Sequence, residues 1–94
     1  MASGVFTDNG TVGPFLVKSN NVHVGVNDTF GGGTVAVEKV VTNKTFPLYE
    51  DGSAITYTAA ADSRLNVSRG DLIQLTLSGA TSPNIVWSLT GMSG

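Results

Sequence analysis

The sequence has no cysteine and a single histidine. The first absence excludes disulfides and thiolate metal sites together; the second leaves too few ligands for a transition-metal centre. Charge is sparse as well. Asp, Glu, Lys and Arg make up 13% of the chain, about half the usual share of roughly 25%. The five basic residues, Lys18, Lys39, Lys44, Arg64 and Arg69, are outnumbered by seven acids and scattered along the sequence. No basic stripe of the kind that neutralises phosphates can be built from that order, which argues against a nucleic-acid partner. No apolar run approaches the roughly 18 residues of a membrane helix, which argues against a membrane partner. The start, Met1-Ala2-Ser3-Gly4, offers neither a basic region nor a long apolar stretch, so no signal peptide is expected and assembly in the cytoplasm is.

What the chain does have is alternation. Val22, Val24 and Val26 are interleaved with His23 and Gly25; Ile73, Leu75 and Leu77 with Gln74 and Thr76; Ile85, Trp87 and Leu89 with Val86 and Ser88. Period two marks strands with one face in a core. Val35 and Val37 continue the theme in Thr34 to Val41, where the pattern slips at Lys39-Val40-Val41 and predicts a bulge. Shorter candidates are Phe15 to Lys18, Ile55 to Thr58 and Leu65 to Val67, and Thr45 to Tyr49 carries Pro47, which suits an edge strand or a covering loop. Turn signals separate them, and no amphipathic helix appears.

The expectation is one all-β domain over residues 1–94, a small antiparallel sandwich or barrel of seven to eight short strands. Residues 1–14 are open to being an extended arm and 91–94 a loose tail. A core this small is marginal, and without disulfides or metals the remaining supplement is oligomerisation.

Several motifs invite a chemical reading and fall short of it. Gly31-Gly32-Gly33 opens a strand rather than a helix and no Gly-Lys-Ser/Thr follows, so it reads as a hairpin connection needing positive φ, with Phe30 a core lid or an exposed contact. Arg69-Gly70-Asp71 is an adhesion tripeptide in some extracellular proteins, but here it stands where a tight turn is wanted. His23 would need a nucleophile and an orienting acid within reach, and no serine lies in a Gly-x-Ser-x-Gly turn. Glu50-Asp51-Gly52-Ser53 offers a fragment of a calcium loop, with Asp62 and Asp71 elsewhere. No catalytic, cofactor or metal residues are assigned, and the chain is read as a non-enzyme that needs no cofactor. Trp87 is in phase with core residues. Phe6, Phe15 and Phe30 fall at element ends, where aromatics either cap a core or anchor an interface, and they are the candidate interface residues.

Two stretches carry a resemblance: Asp28-Thr29-Phe30-Gly31-Gly32-Gly33-Thr34-Val35-Ala36-Val37-Glu38, and Leu75-Thr76-Leu77-Ser78-Gly79-Ala80-Thr81-Ser82-Pro83-Asn84-Ile85. A glycine-rich loop running into a Thr-Val strand, then a strand ending in Leu-Ser-Gly-Ala-Thr, resembles short β-sandwich virion proteins of tailed bacteriophages. The likeness covers about residues 22–90; Val40 to Ala61 and the first twenty residues depart from it. The resemblance implies a virion structural protein, first of all a capsid decoration (cement) protein. Such a protein binds the major capsid protein at the capsid surface, is often a homotrimer, and is assembled in the bacterial host cytoplasm. The alternative it leaves open is a tail, fibre or adaptor module engaging a receptor glycan or another tail protein.

Overall fold

The computed structural model describes residues 2–50 and 52–91. The strands are β1 (Ala2–Phe6), β2 (Gly10–Leu16), β3 (Val22–Thr29), β4 (Thr34–Val41), β5 (Lys44–Pro47), β6 (Tyr49–Glu50), β7 (Ser53–Ala54), β8 (Thr56–Tyr57), β9 (Ala61–Leu65), β10 (Leu72–Ser78) and β11 (Asn84–Thr90). Two antiparallel sheets face each other, with no helix among the described residues. Sheet A runs β1-β11-β3-β9. Sheet B runs β2-β10-β4-β5, with β8 pairing the other half of β4. The all-β sandwich expected from the alternation is the fold.

Alternation builds the core directly. Val22, Val24 and Val26 of β3, Ile85, Trp87 and Leu89 of β11, Ile73, Leu75 and Leu77 of β10, and Val35 and Val37 of β4 are all buried. They meet between the sheets, while the residues between them point outward. No polar or charged residue is buried among those described.

The edge strand beside β4 is discontinuous. β5 pairs with residues 38–41 and β8 with residues 35–36. Between them Leu48 N–H donates to Val37 O at 3.1 Å, and Val37 N–H donates to Ile55 O at 3.1 Å. The edge therefore continues through Leu48 and Ile55, and the β6–β7 hairpin is an excursion from its middle. Counting β5 and β8 as one position, each sheet is four strands wide.

Three local expectations are corrected. The ladder between β4 and β10 is unbroken from Thr34 to Val40, so no bulge stands at Lys39-Val40-Val41. The bulge lies in β2, where Gly13-Pro14 opposes Gln74; proline, which cannot donate to a ladder, belongs in such an edge. Among the described residues, 2–14 are not an extended arm: β1 pairs along β11, and β2 along β10. Lastly, Gly31 and Gly32 take positive φ, as expected, but their turn is not a hairpin connection. It carries the chain from β3 in sheet A to β4 in sheet B. Of the expected loose tail only Gly91 is described; residues 92–94 lie outside the described residues.

Candidate functional site

The outward residues of sheet A form three rows. Thr90, His23 and Arg64 share one, Ser88, Gly25 and Asp62 the next, and Val86 and Asn27 a third. Gly25 contributes no side chain, so the sheet dips there. The result is a shallow, open trough of about 720 Å³ lined by His23, Gly25, Asn27, Asp62, Val86 and Ser88, among others. It brings histidine, serine and aspartate to one surface. It does not connect them: among the described residues no side-chain hydrogen bond joins His23 to Ser88 or Asp62. The contact His23 makes with its neighbour is through its backbone, whose N–H donates to Thr90 Oγ1 at 3.1 Å. No three acidic or histidine side chains converge among the described residues in a way that would hold a metal ion. Asp51 lies outside the described residues, so the Glu50-Asp51-Gly52-Ser53 fragment is not placed as a unit.

Arg69-Gly70-Asp71 is the tight turn its sequence suggests. Asp71 N–H donates to Ser68 O at 3.1 Å, and Gly70 has φ 97°. The Asp71 carboxylate is already engaged. It accepts from Ser68 N–H at 2.9 Å and pairs with Lys39 Nζ at 3.3 Å.

The candidate interface aromatics are placed differently from that expectation. Phe6 and Phe30 are buried in the chain's own core, and Phe15 is half-buried against it. Phe6 and Phe15 flank Trp87 with ring centroids 6.4 and 5.6 Å away. Phe30 closes the core beneath the glycine turn. Within the chain Phe6 and Phe30 thus act as core residues, and only Phe15 keeps part of its ring at the surface.

Besides Phe46 and Tyr49 at the sheet B edge, the residues that expose apolar surface are short aliphatics, which the search for aromatics passed over. Val5 and Val86 are a cross-strand pair on the outer face of sheet A, 52% and 46% exposed. On sheet B, Leu16, Leu72 and Val40 are aligned across β2, β10 and β4, with Leu16 40% exposed. Next to that row runs a polar chain. Thr11 donates to Thr76 at 3.0 Å, Thr76 to Glu38 Oε1 at 2.5 Å, and Gln74 to the same oxygen at 2.9 Å. The signal for these rows was present in the sequence as Val86 and Leu72, apolar residues out of phase with their strands' core positions.

The scattered cations also find an unexpected arrangement. β2, β4 and β11 run toward one end of the sandwich, and β3, β5 and β10 start from it. Lys18, Lys39, Lys44, Arg64 and Arg69 all lie at that basal end. Sequence order concealed this, because the connections that meet there are far apart in the chain. Lys18 and Arg69 line one pocket with Leu16, Val17 and Gly70, of about 380 Å³. Asn20 ties the neighbours in: its backbone O accepts from Arg64 at 3.4 Å, and its side chain accepts from Arg69 N–H at 3.3 Å.

Comparison with family models, curated proteins and solved structures yields no match.

Proposed function

We propose that this chain is a structural contact module of a virus particle, in the first instance a capsid decoration protein that binds and stabilises the outer capsid lattice. The observation that carries the reading is a pair of apolar rows on opposite outer faces of a sandwich whose core is already complete. Val5–Val86 lies on sheet A; Leu16–Leu72–Val40 lies on sheet B. A domain with its core filled and one apolar row on each face is suited to bridging two neighbours. Interfaces of this kind place apolar residues centrally with polar residues around them. Sparse charge and abundant Thr, Ser and Asn lower the cost of desolvating the surrounding rim. Many such contacts repeated over a symmetric lattice add through multivalency. The resemblance of residues 28–38 and 75–85 to β-sandwich virion proteins of tailed bacteriophages supplies the particle.

The test is co-sedimentation of the purified protein with capsids of the corresponding major capsid protein. Binding is expected, and Val86→Asp or Leu16→Asp should weaken it by about tenfold or more, as loss of a central apolar anchor does. No sedimentation with capsids at any ratio would overturn the reading.

One observation favours the tail, fibre or adaptor alternative. Phe46 and Tyr49 expose 51% and 64% of their surface at the sheet B edge, and exposed aromatics stack on sugar rings. Neither lines the trough or the basal pocket. Glycan-array binding lost on Tyr49→Ala would move the assignment to that class.

A further inference from the structure

We propose that copies of this chain associate head to tail, the basal end of one sandwich seating on the opposite, apical end of the next. The apical end is formed by the connections at residues 7–9, 30–33 and 79–83. It carries Asp8 and Asp28 and none of the chain's five Lys and Arg residues. The basal end carries all five, of which Lys39 is paired with Asp71.

Apolar surface follows the same polarity. The Leu16–Leu72–Val40 row lies at the basal end of sheet B, because Leu72 begins β10 and Leu16 ends β2. The Val5–Val86 pair lies at the apical end of sheet A, because Val86 is near the start of β11 and Val5 near the end of β1. One end thus joins apolar residues to cations and the other joins them to carboxylates. Two basal ends meeting would oppose like charges, which disfavours a two-fold pairing through them. Basal on apical matches both charge and apolar surface. Such heterologous contacts close into a ring or extend as a filament.

Backbone chemistry favours a protein over a phosphate at the basal end. The N–H groups of Val17, Lys18, Asn21, Ser68, Arg69, Gly70 and Asp71 all donate within the chain. These seven amides are therefore not free to cradle an anion. Both ends are also pre-shaped. At the apical end Asn9 Nδ2 donates to Ala80 O at 3.0 Å, Ala80 N–H returns a bond to Asn9 Oδ1 at 2.9 Å, and Thr81 N–H donates to Gly31 O at 2.9 Å. Rigid loops lose little freedom on docking.

The inference does not rest on the virion reading, and its test separates the two. A basal variant, Lys18→Glu with Arg69→Glu, and an apical variant, Asp8→Lys with Val86→Lys, are first shown to melt like the parent chain. Sedimentation velocity of the parent should show association that rises with concentration. Raising salt from about 20 to about 300 mM should weaken it by about tenfold, as screening requires. Each variant alone should remain monomeric. Mixed in equal amounts they should form a one-to-one complex, because each retains one intact end. A parent chain monomeric up to about 1 mM, association indifferent to salt, or a mixture that stays monomeric would each overturn the inference. So would a basal end that binds a short DNA duplex while the chain remains monomeric. A monomer that still sediments with capsids would leave the lattice reading standing without this one.

Discussion

The two open sides of the sandwich are closed by different means. On one side, where β1 and β2 are the sheet edges, closure is aromatic. Trp87 projects from sheet A toward Phe15 of sheet B, with Phe6 beside it, and its indole packs against the backbone of β1. On the other side, between β9 and the β5/β8 edge, Tyr57 of sheet B hydrogen-bonds Ser63 of sheet A. Leu48 and Ile55 lie half-buried at the base of the β6–β7 hairpin, and Phe46 stays half-exposed. One seam is sealed by buried ring area and the other by a polar tie over a thinner apolar layer. Apolar burial scales with area, whereas a single hydrogen bond exchanged against water contributes about 1 kcal/mol. The aromatic side should therefore hold the domain together, and the tyrosine side should open first.

The largest effect should come from Trp87→Ala. Removing a buried indole costs about 3–5 kcal/mol, a large fraction of the roughly 5–15 kcal/mol available to a domain. Urea denaturation should show the chain largely unfolded or close to it. A loss below about 1 kcal/mol, the range of a surface change, would erase the distinction between the sides. Because Trp87 Nε1–H has no acceptor among the described residues, the indole contributes volume rather than a hydrogen bond. Trp87→Phe should thus lose much less than Trp87→Ala.

Next in size is Gly4→Ala. A Cβ at Gly4 would stand 2.9 Å from Trp87 Cζ2, so the indole must shift. Overpacking of this kind costs about 1–3 kcal/mol, with a change in tryptophan emission as the companion readout. Gly25 is the control in the same sheet. Its added Cβ would face outward and meet only Ser88 Oγ, at 3.1 Å. Gly25→Ala should therefore leave stability within about 0.5 kcal/mol, as for most exposed positions. Equal losses at the two glycines would show that backbone, not indole packing, sets the effect.

On the tyrosine side, Tyr57→Phe should cost about 1 kcal/mol, the net value of one partly buried hydrogen bond. A double-mutant cycle with Ser63→Ala should return most of that as coupling, because the two residues share a single interaction. Coupling near zero would show that the seam is closed by the ring of Tyr57 and not by its hydroxyl.

The contrast between sides also explains what was legible in the sequence. β3, β10 and β11 are central strands with one face in the core, so Val22 to Val26, Ile73 to Leu77 and Ile85 to Leu89 displayed their period of two without interruption. Edges did not. β2 is broken by its bulge at Gly13-Pro14, and the edge beside β4 by the hairpin between Leu48 and Ile55, so neither kept a period long enough to read. The burial of Phe6 and Phe30 was hidden for a related reason. Position at a strand end does not say whether the neighbouring sheet arches over a ring; that depends on pairing β1 with β11, which lie near opposite ends of the chain. The basal gathering of cations was hidden likewise, because the ends of antiparallel strands interleave distant residues. Outward-facing Val86 was visible, but period-two reasoning treated it as the spacer between two core residues.

The smallest effect tests the weaker side by strengthening it. β4 and β5 are joined by a two-residue turn, Thr42-Asn43, with Val41 opposite Lys44. Both turn residues have positive φ, 50° at Thr42 and 61° at Asn43. A turn with this signature favours Asn-Gly, and a β-branched residue at its first position is disfavoured. Thr42→Asn combined with Asn43→Gly keeps the turn and removes that cost, so a gain of about 0.5–1 kcal/mol is expected. The location of the gain matters more than its size. If the β5 edge is the first part to open, amide exchange should slow in β5 and around Leu48 and Ile55 while β1 and β11 are unchanged at the same global stability. Uniform slowing of every strand would mean instead that the sandwich opens as one unit, and that its two seams differ in composition without differing in strength.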